Sequence, residues 1–468
     1  MHETRGSPRR FARIIAASAG KGDQLNIAST KTAPSNSSTA KRADVTVVGG
    51  AGHVGIPLAL AFAEAGLTVN LNDTNETALA TLKSGKLPFI EHGAAPLLAR
   101  ALAGNKLLFS SSPDATGCTG PVIITIGTPV DEFLNPVQSE VQRCVDSLLP
   151  HLADDQLLIL RSTVYPGTTD WLQDYLRRLG RRNSVAFCPE RVVQGYKELR
   201  EMPQIVSATT ENAEREATEI FRLIAPELVV VKPIEAEFAK LFNNAYRYIE
   251  FAASNQFYMT AKSAGADYQS IMRAMKQNYP RARSFPGPGF SAGPCLFKDT
   301  MQLVAYARNQ FGLGHAAMQV NEGLVLQLVD DLRRAYKISE MTVGLLGMAF
   351  KAEIDDTRAS LSYKLKRNLQ MCAHKVLDHG SVRNVRSAYS AARAGRRRQR
   401  YPDPVHPALG LCRGGSQGQA RRRRLGLSQE RERRLLSMPS CVNIFALARH
   451  EGCLLPGLIR AWRCRGPR

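Results

Sequence analysis

A chain of 468 residues with 44% hydrophobic residues is long enough for about three domains, each burying its own core. Its nine cysteines form no CxxC pair, and no His cluster has zinc spacing, so we expect neither a disulfide framework nor a metal site. No apolar run approaches the roughly 18 residues of a membrane span, and the first residues lack the apolar core of a signal peptide. We therefore expect a cytoplasmic protein with no membrane partner.

The net charge of +21 is concentrated at the carboxyl end of the chain. Residues 378–468 hold 20 Arg, no Lys and five acidic residues, so this segment carries +15 and the rest of the chain +6. The RRRR run at 421–424 can neutralise nucleic-acid phosphates. However, Tyr389, Tyr401, Phe445 and Trp462 are the segment's only aromatic residues for stacking on bases. A solvated basic segment is therefore the better interpretation, and nucleic-acid binding the weaker one.

The first element of the chain is a polar extension, and an α/β pattern follows it. Residues 1–42 are rich in Ser, Thr, Ala and basic residues, which is typical of a flexible extension, with a targeting peptide as the alternative. From there the run VTVV, a glycine turn and the helix-spaced IPLALAFAEAGL indicate a βαβ opening. The apolar runs TVNLND, PVIITIGTP and QLLILRST come next. We expect an α/β domain of the Rossmann type, a parallel sheet covered by helices, over residues 43–232.

The glycine turn carries the pattern GxGxxG between this first strand and first helix. Gly50 allows a tight turn, Gly52 lets a pyrophosphate approach the backbone, and Gly55 allows helix and strand to pack closely. Asp73 follows about 20 residues later, where a carboxylate accepts hydrogen bonds from a ribose and repels a 2′-phosphate. The pattern predicts NAD rather than NADP, with FAD or a plain glycine turn as alternatives. We assign to the cofactor site Gly50, Gly52, His53, Val54, Gly55, Asp73 and Thr128.

Residues 233–335 are helical in pattern, except for the Gly- and Pro-rich loop GPGFSAGPCLFKDT at 287–300. An ordinary buried thiol lies in a periodic apolar run. Cys295 instead follows Gly287, Gly289 and Gly293, whose spacing permits tight bends and the close approach of a ligand. A nicotinamide cofactor accepts hydride, and a cysteine thiolate can hold an aldehyde as a thiohemiacetal whose oxidation gives a thioester. The two motifs together favour oxidation of an alcohol or aldehyde to an acid, with a structural thiol as the alternative.

Three further segments carry candidate polar groups. In EFAKLFNNAYRY, Lys240 and Asn244 are one helical turn apart, so they share a face and can stabilise an oxyanion together. A solvated helix face is the alternative. RSTVYPGTT and CPERVVQG follow apolar strands, where doubly wound sheets bind ligands, and Thr163 and Glu190 are their polar contributors.

A second α/β unit begins with the strand-like MTVGLLGMAF and covers residues 340–377. One helix-like run follows it, and a domain of this kind needs more strands to bury its faces. Beyond residue 377 the pattern gives way to Arg, Gly, Ala and Pro, which is what a shifted reading frame of a GC-rich gene produces. We therefore expect an incomplete third domain and hypothesise a frameshift near residue 377, with an unrelated Arg-rich tail over 378–468.

The motifs of residues 43–377 resemble those of the nucleotide-sugar dehydrogenases, the family of UDP-glucose and UDP-N-acetylhexosamine 6-dehydrogenases. In chain order they are VVGGAGHVGIPLALAFA, RSTVYPGTT, PERVVQG, EFAKLFNNAYRY, PGFSAGPCLFKD and LGMAFKAEIDDTRAS. The resemblance implies an NAD-binding domain, a central helical domain that pairs two subunits, and a C-terminal α/β domain that clasps the nucleotide. It also implies oxidation of a UDP-sugar at C6 to a UDP-uronic acid with two NAD, by a homodimer or higher oligomer.

The resemblance further implies catalytic roles for individual residues. Cys295 is the nucleophile that forms the thiohemiacetal and the thioester. Asp299 and Thr163 hold the water implicated in proton removal. Lys240 and Asn244 stabilise the developing oxyanion.

Glu190 assists hydrolysis of the thioester on the same resemblance. The substrate-binding residues that it implies are Arg191, Gly287, Gly289, Phe290, Lys351 and Arg358. Ser291 and Ala292 stand where many family members carry glycines, a change that can alter the fit of the sugar. PERVVQG is closer to the N-acetylhexosamine branch, whereas GPCLFKD is also close to the UDP-glucose branch. The sugar therefore stays open, and a relative that binds NAD without turnover is an alternative function.

Overall fold

The computed structural model describes residues 42–116, 120–132, 137–191, 196–351, 354–379 and 443–448. The amino-terminal extension, the RRRR run and most of the Arg-rich tail lie outside these described residues. Within the described ranges, no helix combines the length and hydropathy that a membrane span requires. The same ranges contain no group of three His, Cys, Asp or Glu side chains placed to hold a metal ion.

An eight-stranded sheet forms the amino-terminal domain. Its strands are β1 (Val45–Val48), β2 (Val69–Asn72), β3 (Leu107–Ser110), β4 (Val122–Ile124), β5 (Leu158–Leu160), β6 (Val185–Phe187), β7 (Gln204–Ala208) and β8 (Leu228–Val230). Across the sheet their order is β3-β2-β1-β4-β5-β6-β7-β8. The first six follow the order of dinucleotide-binding sheets, which confirms the predicted α/β Rossmann class.

Helices cover both faces of this sheet. They are α1 (Gly55–Glu64), α2 (Glu76–Lys83), α3 (Ala94–Ala103), α4 (Ser139–Leu148), α5 (Thr168–Arg178), α6 (Tyr196–Glu201) and α7 (Glu211–Arg222). Successive strand residues point to opposite faces, so Ile159 joins one hydrophobic core while Leu158 and Leu160 join another. Because both faces are buried, the strands are short continuous apolar runs rather than alternating ones.

One pairing departs from the parallel sheet expected from the sequence, since β6 and β7 are antiparallel. The segment that joins them contains only the six-residue α6, whereas α7, which links the parallel strands β7 and β8, has 12 residues. Cys188, just after β6, and Gln204, at the start of β7, both contact the guanidinium of Arg161. The chain therefore starts β7 beside the carboxyl end of β6. It does not return to the opposite end of the strands, as a parallel connection requires.

Four helices form the central part of the molecule: α8 (Pro233–Ser263), α9 (Tyr268–Lys276), α10 (Leu296–Tyr306) and α11 (Gly312–Ala335). The amino-terminal part of α8 is anchored to the sheet domain through Glu237, which is 1% exposed. Its carboxylate accepts hydrogen bonds from the backbone N–H of Gly167 and Thr169 and from Thr169 Oγ1 at the start of α5. A carboxylate at a helix N-terminus stabilises the unpaired N–H groups there. Burial raises the pKa of Glu237, and these three donors oppose that rise.

A second, smaller sheet follows. It consists of β9 (Met341–Leu346), β10 (Lys375–His379) and β11 (Asn443–Ala448), in the order β10-β9-β11, with α12 (Leu361–Gln370) between the first two. β9 is parallel to β10 and antiparallel to β11, which is the NIFALA segment of the Arg-rich tail. Val343 and Leu365 share one hydrophobic core with Leu324 and Leu328 of α11. The smaller sheet is thus packed onto the central helices.

Candidate active site

The glycine turn after β1 is shaped by backbone atoms that leave no room for side chains. A Cβ at Gly50 would lie 2.7 Å from Val47 O, and one at Gly55 would lie 2.5 Å from Gly49 O. Both distances are shorter than real Cβ contacts, so packing alone requires glycine at these two positions. A Cβ at Gly52 would meet only Gly49 O, at 3.3 Å. The outer side of Gly52 is therefore open for the close approach of a ligand.

The start of α1 provides donors for an anion beside this turn. Val54 occupies the N-cap position without a side-chain cap, and the first turn contains no acidic residue. Asp73 lies next to the turn, because its Oδ2 accepts a hydrogen bond from Ala51 N and its Oδ1 one from Asn75 N, both at 2.9 Å. An uncapped helix N-terminus suits a pyrophosphate, and a carboxylate at the end of the second strand suits a ribose. The residues present therefore fit NAD.

His53 and Thr128, also assigned to the cofactor site, have partners in the protein. The His53 ring stacks on Phe89 with centroids 3.8 Å apart, and its Nε2 lies 4.0 Å from Asp356 Oδ2. Burial lowers the pKa of His53, and Arg358 lowers it further. Thr128 Oγ1 donates to Thr163 O at 2.6 Å. Thr128 thus lies next to Thr163, which we expected to be catalytic.

Cys295 is an exposed residue at the N-cap position of α10. A helix N-terminus favours a thiolate electrostatically. Burial of the sulfur by protein atoms has the opposite and largest effect, because it raises the pKa of the thiol. The negative charge of Asp299 raises this pKa further. The positive charges of Lys240, Lys298 and Arg358 lower the pKa of the thiol. The thiol therefore lies among three cations and one carboxylate.

Asp299 lies one turn beyond Cys295 and is fully buried. Its Oδ2 accepts a hydrogen bond of 2.5 Å from Asn244 Nδ2, and its Oδ1 lies 3.4 Å from Lys298 Nζ. Oδ1 accepts no hydrogen bond from any described residue. A buried carboxylate oxygen without a donor is costly, and a water or a substrate hydroxyl placed there would satisfy it. Asp299 thus has one carboxylate oxygen left to accept a hydrogen bond.

Two lysines flank this carboxylate. Lys240 lies one turn before Asn244 on α8 and is 8% exposed, and its side chain has no hydrogen-bond or ion-pair partner in the described part of the chain. Lys298 Nζ donates to Thr128 O at 2.9 Å and thereby connects α10 to the loop after strand β4. Lys240 is therefore a nearly buried cation with donors to spare, whereas Lys298 is already engaged.

Glu190, at the carboxyl edge of β6, is held by a buried arginine. Arg161 Nη2 donates to Glu190 Oε2 at 2.5 Å, and Glu190 N donates to Arg161 O at 3.1 Å. The Arg161 side chain is 0% exposed and that of Glu190 is 13% exposed. The neighbouring Arg191 donates to the backbone carbonyl of Pro203. Arg191 is thus engaged with the protein, although we expected it to bind substrate.

Two polar residues of α8 fix the backbone of the glycine loop before Cys295. Asn255, 0% exposed, accepts from Gly289 N at 2.8 Å and donates to Gly289 O at 2.9 Å. Ser254 Oγ donates to Pro286 O at 2.9 Å. Phe290 is buried in the core of the central helices, and a Cβ at Gly287 would have no atom within 4 Å. Among these loop residues, Gly287 therefore has the most open surroundings.

The end of the same loop contacts the segment after β9. Gly293 has φ +105°, its N donates to Ala359 O at 3.3 Å, and its Cβ would lie 2.7 Å from the ring of Phe350. Arg358 Nη2 donates to Asp356 Oδ2 at 2.7 Å, and the charge of Arg358 reaches Cys295. Lys351 is exposed. The segment of the second sheet that we expected to reach the substrate therefore adjoins the Cys295 loop.

Sequence reasoning missed five residues of this site: Arg161, Ser254, Asn255, Lys298 and Asp356. Signals for two of them were present. Arg161 follows the buried run LLIL directly, and Asn255 is a polar residue on the inner face of a long helix. The contacts of Ser254 with Pro286 and of Asp356 with His53 depend on how separate segments meet, which local spacing does not encode.

Two family models match most of the described chain. The NAD binding domain of the UDP-glucose/GDP-mannose dehydrogenase family matches residues 43–225, and the central domain of the same family matches residues 234–323. The UDP-N-acetyl-D-mannosamine dehydrogenase of Pyrococcus horikoshii is 30% identical over 332 residues, covering 67% of this chain and 78% of the relative. The enzyme of that name from Escherichia coli K12 is 28% identical over 343 residues, covering 68% and 80%.

Solved structures agree with these matches. The UDP-D-ManNAc dehydrogenase of Pyrococcus horikoshii superposes with a TM-score of 0.67 at 28% identity, covering 73% of this chain and 86% of the other. A UDP-glucose dehydrogenase from Pyrobaculum islandicum gives a TM-score of 0.68 at 26% identity, covering 77% and 86%. The matches confirm the predicted resemblance and NAD as the cofactor. The chain belongs to the UDP-glucose/GDP-mannose dehydrogenase family and is an NAD-dependent oxidoreductase of the nucleotide-sugar dehydrogenase class.

Proposed function

We propose that the protein oxidises the C6 alcohol of a UDP-sugar to a carboxylate in two steps and releases a UDP-uronic acid, with the sugar held covalently on Cys295. The observation that supports this most is the surroundings of Cys295. An exposed thiol lies in the field of Lys240 and Lys298, one helical turn from Asp299, whose Oδ1 lacks a donor. A structural thiol has no need of such neighbours.

The chain's own residues account for the first oxidation. The turn of Gly50 and Gly52 together with Asp73 would hold NAD, which would supply the hydride acceptor for each oxidation. Asp299 takes the hydroxyl proton, directly or through a water shared with Thr163. Asn244 keeps that carboxylate oriented by its 2.5 Å hydrogen bond. Lys240 donates to the substrate oxygen as its negative charge develops.

The second oxidation uses the thiol. Once Asp299 has released the first proton to water, the sulfur of Cys295 adds to the aldehyde carbon and its proton passes to Asp299. The carbonyl oxygen becomes an alkoxide stabilised by Lys240. Loss of the second hydride from this thiohemiacetal leaves a thioester. Water then attacks the thioester carbonyl with assistance from Glu190, the C–S bond breaks, and the acid and the free thiol result. Lys351 and Arg358, on the segment next to the Cys295 loop, are proposed to contact the substrate.

The relatives indicate which sugars to test. Those named UDP-N-acetyl-D-mannosamine dehydrogenase are 27% to 30% identical to this chain, and a solved UDP-glucose dehydrogenase is 26% identical. We propose UDP-N-acetyl-D-mannosamine as the first candidate substrate and UDP-glucose as the second. The N-acetylhexosamine character of PERVVQG agrees with this order.

We also propose that two copies pair through α8. Phe242, Tyr246 and Phe257 on this helix are 57%, 63% and 48% exposed. Large apolar side chains exposed along one long helix are typical of a surface that another protein covers. Light scattering on the purified protein would give the mass of a dimer or a multiple of it if this proposal is right, and that of a monomer if it is wrong.

The tail remains a separate proposal. We propose that residues 378–468 derive from a shifted reading frame, because this stretch has 20 Arg and no Lys. Translation of the coding DNA in all three frames tests it. An alternative frame with alternating apolar strands after residue 377 would support a frameshift, and the lack of such a frame would exclude it.

The experiment for the activity is a substrate panel. The purified protein is mixed with NAD and, separately, UDP-N-acetyl-D-mannosamine, UDP-N-acetyl-D-glucosamine and UDP-glucose, and NADH absorbance is followed. NADH formation with one sugar would support the proposal and name the substrate. NAD binding without NADH from any of them would favour a relative that binds the cofactor but does not turn over.

A further inference from the structure

We propose that Arg161 is a positioning residue for thioester hydrolysis. Its guanidinium holds the Glu190 carboxylate in the orientation that accepts a proton from the attacking water. This inference rests on the proposed function, since it assumes that Cys295 carries an acyl group and that Glu190 assists its hydrolysis.

The burial of Arg161 calls for an explanation. Its side chain is 0% exposed, and removing a guanidinium from water costs several kcal/mol unless a partner of opposite charge offsets the loss. Glu190 supplies that charge, with Nη2 and Oε2 2.5 Å apart. A hydrophobic residue of similar volume would fill the same space at lower cost. The charge is therefore best explained by the carboxylate that it holds.

The remaining contacts of Arg161 fix the guanidinium itself. Nη1 donates to Cys188 O at 2.9 Å and to Gln204 Oε1 at 2.8 Å, and Cζ lies 5.1 Å above the Phe221 ring. Gln204 is fixed in turn, because its Nε2 donates to the carbonyl of Ile205 at 2.6 Å. The planar guanidinium packs one face on an aromatic ring and donates two hydrogen bonds from Nη1, so it has little freedom to rotate. Nη2 can therefore meet Glu190 in one orientation only.

The same short segment connects Glu190 to the surroundings of the thiol. Arg161 holds Glu190 through its side chain and its backbone carbonyl. Thr163, two residues later, accepts from Thr128, and Thr128 accepts from Lys298 on the helix of Cys295. These hydrogen bonds, together with the backbone from Arg161 to Thr163, connect Glu190 to α10. A shift of Arg161 would thus displace the carboxylate relative to the site.

The step itself is a hydrolysis with no change of oxidation state. The water oxygen bonds to the thioester carbon, one water proton passes to Glu190, and the C–S bond breaks. The proton then returns from Glu190 to the sulfur of Cys295, which leaves the acid and the free thiol. Arg161 keeps its charge throughout and touches no reacting atom. Its loss should slow hydrolysis and spare both hydride transfers.

The test is rapid-quench kinetics of Arg161→Met with NAD and the UDP-sugar that the wild-type protein oxidises. We expect a first burst of two NADH per Cys295 at close to the wild-type rate, followed by a steady state at least about 10-fold slower. Mass spectrometry of the quenched protein should show the acyl group on Cys295. Arg161→Lys keeps the charge but loses the planar guanidinium, so its steady-state rate should lie between those of Arg161→Met and the wild type.

Two controls separate positioning from general damage. Arg181 is also partly buried and donates to a backbone carbonyl, that of Leu152, but it precedes β6 at the opposite edge of the sheet. Arg181→Met should keep the wild-type burst and steady state. In a Glu190→Gln background, Arg161→Met should cause no further slowing, because the two residues act as one unit.

Several results would overturn the inference. The first is an unchanged steady-state rate in Arg161→Met, and the second is a burst in that variant that slows as much as its steady state. The third is a further loss of steady-state rate when Arg161→Met is added to Glu190→Gln. If Arg161→Met does not fold, Arg161→Lys decides by the same criteria. If neither wild type nor Glu190→Gln ever carries an acyl group on Cys295, the proposed covalent route fails instead, so the two failures are distinguishable.

Discussion

Asn244 on α8 donates a 2.5 Å hydrogen bond to the fully buried carboxylate of Asp299 on α10, and this contact joins two residues that are 55 positions apart in the chain. The contact positions the proposed proton acceptor one turn from Cys295. Because the other carboxylate oxygen accepts no hydrogen bond from any described residue, Asn244 is the donor that fixes the carboxylate's orientation.

Asn244→Ala removes that donor and leaves a second buried oxygen unpaired. We expect a loss of about 1–3 kcal/mol in the free energy of unfolding, and a fall in kcat of at least about 10-fold. Urea denaturation and NADH kinetics measure the two effects. The neighbouring Asn243 is exposed, so Asn243→Ala should change stability by less than about 0.5 kcal/mol. Equal effects of the two substitutions would contradict the assignment.

The charges around the thiol predict opposite shifts for two neighbouring residues. Lys298 lowers the pKa of Cys295 and Asp299 raises it. Lys298→Met should therefore raise the pKa of the thiol, and Asp299→Asn should lower it. The pH dependence of the rate of alkylation by iodoacetamide reports both. Lys276→Met at the end of α9 serves as the control and should leave the alkylation profile unchanged, whereas shifts of the same sign in the first two variants would refute the electrostatic account.

Gly293 links the Cys295 loop to the segment after β9 through a conformation that only glycine adopts easily. At φ +105°, a Cβ would also lie 2.7 Å from the Phe350 ring. Gly293→Ala should destabilise the protein by about 1–3 kcal/mol through strain and overpacking. Gly287→Ala, in the same loop with nothing within 4 Å of its Cβ, should leave the melting temperature nearly unchanged. A similar loss of melting temperature in both variants would mean that the contact with Phe350 is unimportant.

Glu216 on α7 predicts a pH dependence of stability. Burial, together with the nearby Asp155 and Glu219, raises its pKa from 4.5 to about 7. The folded state thus binds a proton that the unfolded state has already released. Its contribution to stability is present below pH 4.5 and is lost as the pH rises to about 7.

Glu216→Gln should consequently stabilise the protein at pH 8 by on the order of 1 kcal/mol, with little effect at pH 4.5. Thermal melts of the variant and the wild type at the two pH values test this. A stabilisation that is the same at both pH values would show that titration of Glu216 is not its cause.

The sequence predicted local features better than contacts between segments. The GxGxxG turn follows from strand, glycines and helix lying in sequence, and the one-turn spacing of Lys240 with Asn244 places both on one helix face. The helix that begins at Leu296 was not predicted, because the glycines and prolines before it indicated a loop as far as residue 300. The antiparallel β7 was not predictable, because the direction of a strand depends on where its connection runs. The contact of Asp356 with His53 likewise arises from segments that are distant in the chain, whereas the ion pair of Arg358 with Asp356 spans only two residues.

The most direct test of the central claim is the number of NADH formed per UDP-sugar consumed by the wild-type protein and by Cys295→Ser. If Cys295 carries the sugar through the second oxidation, the wild-type protein should form two NADH per sugar. Cys295→Ser should lose turnover while its NAD binding is retained. Two NADH per sugar from Cys295→Ser at the wild-type rate would contradict the covalent role of Cys295.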